Sequence, residues 1–166
     1  MPGSFASAKV KAKEVQDMSQ RMLESSRTGR SLTQVTVAEA MHPGVLTCPL
    51  ETPLATVARM MASYRIHAVV VFGEESDDVE GSQLWGVVSD LDLVSAASAG
   101  DLEERTAGGT AITPVVMVAP DDTLAHAAQL MSEHEIAHLV VAEPDSARPV
   151  GVVSTLDLAR VLAAAA

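Results

Sequence analysis

The chain has 166 residues and a formal net charge of −11, with 48% hydrophobic but only 2% aromatic side chains. That size allows one domain, or two small halves sharing a core of Val, Leu, Ile, Met and Ala. No apolar run approaches the ~20 residues needed to span a bilayer, the N-terminus lacks a secretory apolar stretch, and a lone cysteine, Cys48, excludes an intrachain disulfide, so a cytoplasmic location is expected.

In chain order, residues 5–26 read as a helix with Ala8, Val15, Met18 and Met22 in a weak apolar stripe, broken by SSRTGRS at 25–31. Residues 1–35 carry six basic and three acidic side chains, net +3; the rest carry five and nineteen, net −14. A body that acidic repels a nucleic-acid backbone, which argues against DNA or RNA as a partner. The basic tail, residues 1–30, suits a membrane surface, RNA or an acidic partner, or plain solvation as a helical extension with surface lysines, which is the favoured reading.

VAEAM (37–41) and the short strand candidate VLT (45–47) come next. TPLATVARMMASYRIHAVVV (52–71) then reads as a helix followed by a buried strand, with Leu54, Val57, Ala58 and Met61 on one face. The acidic GEESDDVEGSQ (73–83) signals a hairpin turn, LWGVV (84–88) a second strand, and 90–97 a helix. Residues 98–110 form a connector, with GG at 108–109.

The series then recurs. TAI (110–112) and VVMV (115–118) precede DTLAHAAQLMSEHEIAHLVVA (122–142), where Leu124, Ala127, Ala128 and Met131 repeat the buried helix face at an offset of 70. EPDSARP (143–149) is the second hairpin turn, VGVV (150–153) the second strand, and 155–164 the last helix. Thr52 and Asp122 are the expected N-caps. Each copy has the order β-α-β-β-α.

The most telling duplication is GVVSDLDL (86–93) against GVVSTLDL (151–158). Ser89 and Ser154 fall where a strand gives way to a helix, so each hydroxyl can cap the next turn, and exposed backbone N–H groups there favour an anion. Asp92 and Asp157 lie about one turn in. An ionised carboxylate accepts hydrogen bonds only, and the vicinal hydroxyls of a ribose offer two. Val87–Val88 and Val152–Val153 offer an apolar floor for a base. Two accounts remain open on the residues alone: a sugar-binding pair, or a cap with a favourable first-turn charge.

Other constellations carry less. His126 and His134, beside Glu133 and Glu135, lack a metal-ligand pattern and fit an exposed helix face. Cys48 fits a small buried thiol, and EESDDVE (74–80) lacks the alternation of a calcium loop. Neither GxGxxG nor GxxxxGK[ST] occurs, which argues against Rossmann or P-loop chemistry.

The β-α-β-β-α order, the helix ending in Met, the Ile-led strand entry and the paired G-h-h-S-x-x-D together resemble the CBS domain, named after cystathionine β-synthase. Two in-register copies resemble a CBS pair, or Bateman module, over about residues 36–163. The resemblance implies an α/β (α+β) fold of two repeats, 36–100 and 101–166, with pseudo-two-fold symmetry and an N-terminal helical extension over 1–35. It implies a non-catalytic regulator that senses AMP, ADP, ATP or S-adenosylmethionine in clefts between the repeats, with no required cofactor and no resident metal. It also implies a homodimer. The alternative is a pair that has lost its ligand and serves as a dimerisation scaffold.

By position, the family's roles fall in the preferred site on Ile112, Met117, Ile136, Ala137, His138, Ser154 and Asp157. In the other they fall on Met41, Leu46, Ile66, His67, Ala68, Ser89 and Asp92. Asp90 adds a carboxylate where the second copy has Thr155, and a carboxylate repels phosphate. The Ser154/Asp157 site is therefore expected to take the phosphorylated ligand, the other to be empty, metal-assisted or suited to a sulfonium. Scarce cations (Arg59, Arg65, Arg105, Arg148, Arg160) rank AMP or ADP above ATP. Many members have proline where Val70 and Val140 stand.

Overall fold

Apolar helix faces packed on short β-branched strands build each half. The computed structural model describes residues 30–73 and 83–165. The first half runs α1 (Val37–Ala40), β1 (His42–Pro43), β2 (Thr47–Pro49), α2 (Leu54–Tyr64), β3 (Ala68–Phe72), β4 (Leu84–Ser89) and α3 (Asp90–Ala99). The second runs α4 (Ala107–Thr110), β5 (Met117–Val118), α5 (Leu124–His134), β6 (His138–Ala142), β7 (Pro149–Ser154) and α6 (Thr155–Ala165). This is the mixed α+β arrangement expected, with the β-α-β-β-α order in both copies. The helix expected over 5–26 and the acidic tip at 74–80 lie outside the described residues.

Local details differ from the sequence expectation. The first strand sits at Thr47–Pro49 rather than 45–47, and the second copy's is only Met117–Val118. The connector over 98–110 holds the end of α3, stopped by left-handed Gly100 (φ 80°), and the short α4. Pro53, not Thr52, occupies the N-cap of α2 and makes no side-chain cap bond. Thr123, not Asp122, caps α5, its hydroxyl accepting from the His126 N–H at 3.2 Å. Asp122 sits one residue early and accepts from the Ala119 N–H at 2.9 Å, closing the preceding turn.

Helix periodicity places the core as expected. Leu54, Val57 and Met61 are buried on α2, and Leu124, Ala127 and Met131 on α5. In each half a parallel pair (β2 with β3, β5 with β6) continues into an antiparallel hairpin (β3 with β4, β6 with β7), and Val70 faces Val87 as Val140 faces Val152. Val70 and Val140 are buried mid-sheet, where β-branched residues pack well.

The halves exchange their leading segments. β1, which opens the first half, pairs antiparallel with β7 of the second, His42 opposite Val152 and Pro43 opposite Gly151. Reciprocally, Ile112 bridges to Val87 on β4. The exchange reaches the cores: Val35 and Val37 pack with Leu124, Leu139, Val141 and Val153, while Ala107 packs with Leu54, Val69 and Val88. Backbone bonds fix both crossings, with Val37 N–H donating to Asp122 O and Ala107 N–H to Thr52 O, each at 2.8 Å.

This crossing explains the glycine that opens each repeated octet. A Cβ on Gly151 would stand 2.6 Å from the His42 carbonyl oxygen and 2.8 Å from Met41 Sδ; one on Gly86 would stand 2.7 Å from Ala111 Cβ and 2.9 Å from Ile112 O. Both octets need a residue without a side chain because a foreign backbone lies against them. Gly151→Ala is expected to cost about 1–3 kcal/mol through overpacking. Urea denaturation checks this, and an unchanged midpoint would contradict the crossing.

Candidate functional site: two grooves between the repeats

At both strand-to-helix junctions the polar pair closes on itself. Ser154 donates to Asp157 Oδ2 from its N–H at 2.9 Å and its hydroxyl at 2.7 Å. Ser89 does the same to Asp92 Oδ2 at 2.7 and 2.6 Å. The aspartate thus caps the serine's backbone N–H in both copies, and in the first the Ser89 hydroxyl also accepts from the Asp92 N–H at 3.4 Å, as a helix cap does. The second carboxylate oxygens differ. Asp157 Oδ1 accepts from Arg160 at 3.0 Å and lies 3.4 Å from His42 Nδ1, whereas no hydrogen bond reaches Asp92 Oδ1 among the described residues. An oxygen holding one bond keeps capacity for another. Asp157 is 2% exposed.

Each junction opens onto a groove between the halves. One, of about 640 Å³, has Ser154, Asp157 and Arg160 on one side and Leu46, Arg65, Ile66, His67 and Ala68 on the other, with His42, Gly44 and Val45 from the crossing segment. Its counterpart, of about 690 Å³, has Ser89, Asp90 and Asp92 facing Glu135, Ile136, Ala137 and His138, with Ile112, Pro114, Val115 and Val116 from the other crossing segment. Val87 and Val152 line the grooves, while Val88 and Val153, one pleat position on, are buried in the cores.

The fold therefore regroups the residues picked out by the sequence. Ser154 and Asp157 share a groove with Leu46, Ile66, His67 and Ala68, not with Ile112, Ile136 and Ala137, which stand opposite Ser89 and Asp92. His138 lines both. Because leading segments cross over, each junction faces the other copy's strand entry, a pairing that linear order conceals. Met41 and Met117 line neither groove: Met41 packs against the second core, and Met117 is exposed on β5. Residues not singled out as lining are Arg65 and Glu135, together with His42, Gly44, Val45, Leu91, Pro114 to Val116, Leu156 and Arg160. The first pair stands immediately before Ile66 and Ile136, so adjacency was the available signal.

Histidines occupy the partition. His67 Nδ1 lies 2.8 Å from Asp90 Oδ2, joining a residue of one groove to a residue of the other. Burial pushes the His138 imidazole below its ordinary 6.5, opposed by the negative charge of Asp90 and, more weakly, of Asp157 and Asp92, while His67 adds to the depression. Cys48 is buried on β2 in the first core, and desolvation raises its thiol pKa against a hydrogen bond from Thr52. Among the described residues, no group of three or more His, Cys, Asp or Glu side chains is arranged to hold a metal, and no helix is long and apolar enough to cross a membrane.

A family model described as CBS domain matches residues 37–99 and 109–164. No curated protein matches the chain. Among solved structures, the CBS domain protein PAE2072 from Pyrobaculum aerophilum, complexed with AMP, is 26% identical over 78% of this chain and 96% of that one, with a TM-score of 0.65. Hypoxic Response Protein I, solved with two coordinated zinc ions, is 28% identical over 76% and 98%, with a TM-score of 0.58. The CBS domain pair of MJ0100, in complex with 5′-methylthioadenosine and S-adenosyl-L-methionine, shares the fold at 20% identity over 78% and 96%, with a TM-score of 0.63. Two matched stretches in one chain, each carrying a G-h-h-S-x-x-D motif, show that the protein belongs to the CBS-domain family as a tandem pair.

Proposed function

We propose that the protein is a non-catalytic regulatory module that binds an adenosyl ligand in the grooves between its repeats, read as 36–100 and 101–166. The observation that carries this is the pairing, in each groove, of apolar walls with a carboxylate already oriented by its serine. The walls suit a purine, and an oriented carboxylate suits a ribose diol. The AMP complex of the Pyrobaculum relative supports the ligand class. With Arg65 and Arg160 as the only guanidiniums on the Asp157 groove among the described residues, AMP or ADP ranks above ATP.

Binding across the partition ties the halves together, and regulation follows if two conformations differ in affinity. Calorimetric titration with AMP, ADP, ATP and S-adenosylmethionine tests this; the expected result is saturable heat and a raised melting temperature with AMP or ADP. Silence with all four would refute it.

One observation favours a second reading, a dimerising scaffold. Leu91 (69%) and Val94 (60%) on α3, with Leu156 (49%) and Leu162 (53%) on α6, are exposed apolar side chains on the two helices that follow the junctions. A homodimer through these helices serves either reading. A partner that engages residues 1–30 would receive the signal.

A further inference from the structure

The two grooves are twins in backbone but opposites in charge. α2 and α5 both end on a left-handed residue with φ of 54°, Arg65 in the first and Glu135 in the second, and each cap N–H donates to the methionine carbonyl of its helix, Met61 or Met131. These caps are equivalent by geometry, and each side chain borders its own groove. Among the described residues, two guanidiniums, Arg65 and Arg160, stand around the Asp157 groove against one carboxylate. Around the Asp92 groove, among the described residues, stand three carboxylates, Asp90, Asp92 and Glu135, with no Arg or Lys. His67 Nδ1 stands 2.8 Å from Asp90 Oδ2, and His138 lines both grooves.

We propose that the helix-cap pair Arg65 and Glu135 sets ligand class groove by groove. The Asp157 groove takes an adenosyl compound with a 5′ phosphate, and the Asp92 groove takes one whose 5′ substituent is neutral or cationic. This rests on the adenosyl-binding reading above. A phosphate entering the Asp92 groove meets carboxylates on both walls, a repulsion that exposure to water reduces but does not remove. A sulfonium there gains what a phosphate loses. In the Asp157 groove, Arg65 stands across from Arg160, and a guanidinium fits a phosphate fork.

The test uses the whole chain with AMP, S-adenosylmethionine and adenosine as titrants, alone and in competition. The expected result is one AMP and one S-adenosylmethionine per chain, neither displacing the other. Arg65→Glu is expected to weaken AMP by about tenfold or more while sparing S-adenosylmethionine. Glu135→Arg is expected to admit a second AMP. Both substitutions are exposed, and each installs a charge type that the twin cap already tolerates. Two AMP molecules bound per chain at matched affinity, or an Arg65→Glu variant with unchanged AMP affinity, would overturn the groove assignment and leave the adenosyl reading standing. No binding by any of the three, adenosine included, would overturn that reading itself.

Discussion

Asp157→Ala is expected to weaken AMP binding in its groove by about 100-fold, and to lower the melting temperature as well. The side chain is almost wholly buried and holds three bonds, two from Ser154 and one from Arg160. Removing it strands the Ser154 N–H and hydroxyl at a half-buried helix start, a cost of about 2 kcal/mol. Arg160 adds little to that loss, since its side chain is 59% exposed and water can take over its hydrogen bonds. For a chain of this length the change corresponds to a drop of about 4–8 °C. Losing a charged acceptor for a ribose diol weakens binding by about 100-fold. Asp157→Asn, which keeps the shape and most of the cap, is expected to lose AMP affinity with a smaller thermal shift. Asp92→Ala is expected to leave AMP affinity intact. Calorimetry and thermal melts read both effects, and Asp157→Ala chains that bind AMP normally would remove this carboxylate from the site.

The second large effect concerns the crossing segment. Deleting residues 1–43 is expected to cost about 3–6 kcal/mol relative to deleting 1–29. The longer deletion alone takes Val35 and Val37 out of the second core and strips β1 from the edge of its sheet. Each buried valine is worth about 1.5–3 kcal/mol, against a net stability of about 5–15 kcal/mol for a typical domain. Denaturant midpoints of the two truncated chains measure the difference directly, and coincident midpoints would show the segment to be dispensable. The longer deletion also removes His42 from the Asp157 groove, so AMP binding is expected to fall with stability.

Much of this was legible in the residues, and for identifiable reasons. The faces of α2 and α5 were visible because local periodicity decides them: Leu54 and Leu124 recur with their neighbours at helical spacing. The octets announced their junctions because a serine followed three residues later by an aspartate forms its bonds within one turn. What stayed hidden is non-local. Nothing near His42 indicates that its backbone pairs with Val152, so linear order places Asp157 with its own half, although it shares a groove with Ile66 and Ala68. The function of Gly86 and Gly151 was equally invisible, since each makes room for a segment distant in sequence. The caps at Thr52 and Asp122 missed by one position, where neighbouring residues compete for the same N–H groups.

The reciprocal crossing also orders events during synthesis. The first half has every piece of its core once the ribosome has passed Ile112, because α4 and the bridge to Val87 arrive by then. The second half finds Val35 and Val37 already made, yet β7, the partner of β1, emerges near the very end. Until then the early segment waits as an unmatched ribbon, and the last strand to appear is the one that captures it. Such distant pairings close slowly, so assembly is expected to proceed from front to back, with the finished front half as the template on which the rear one sets.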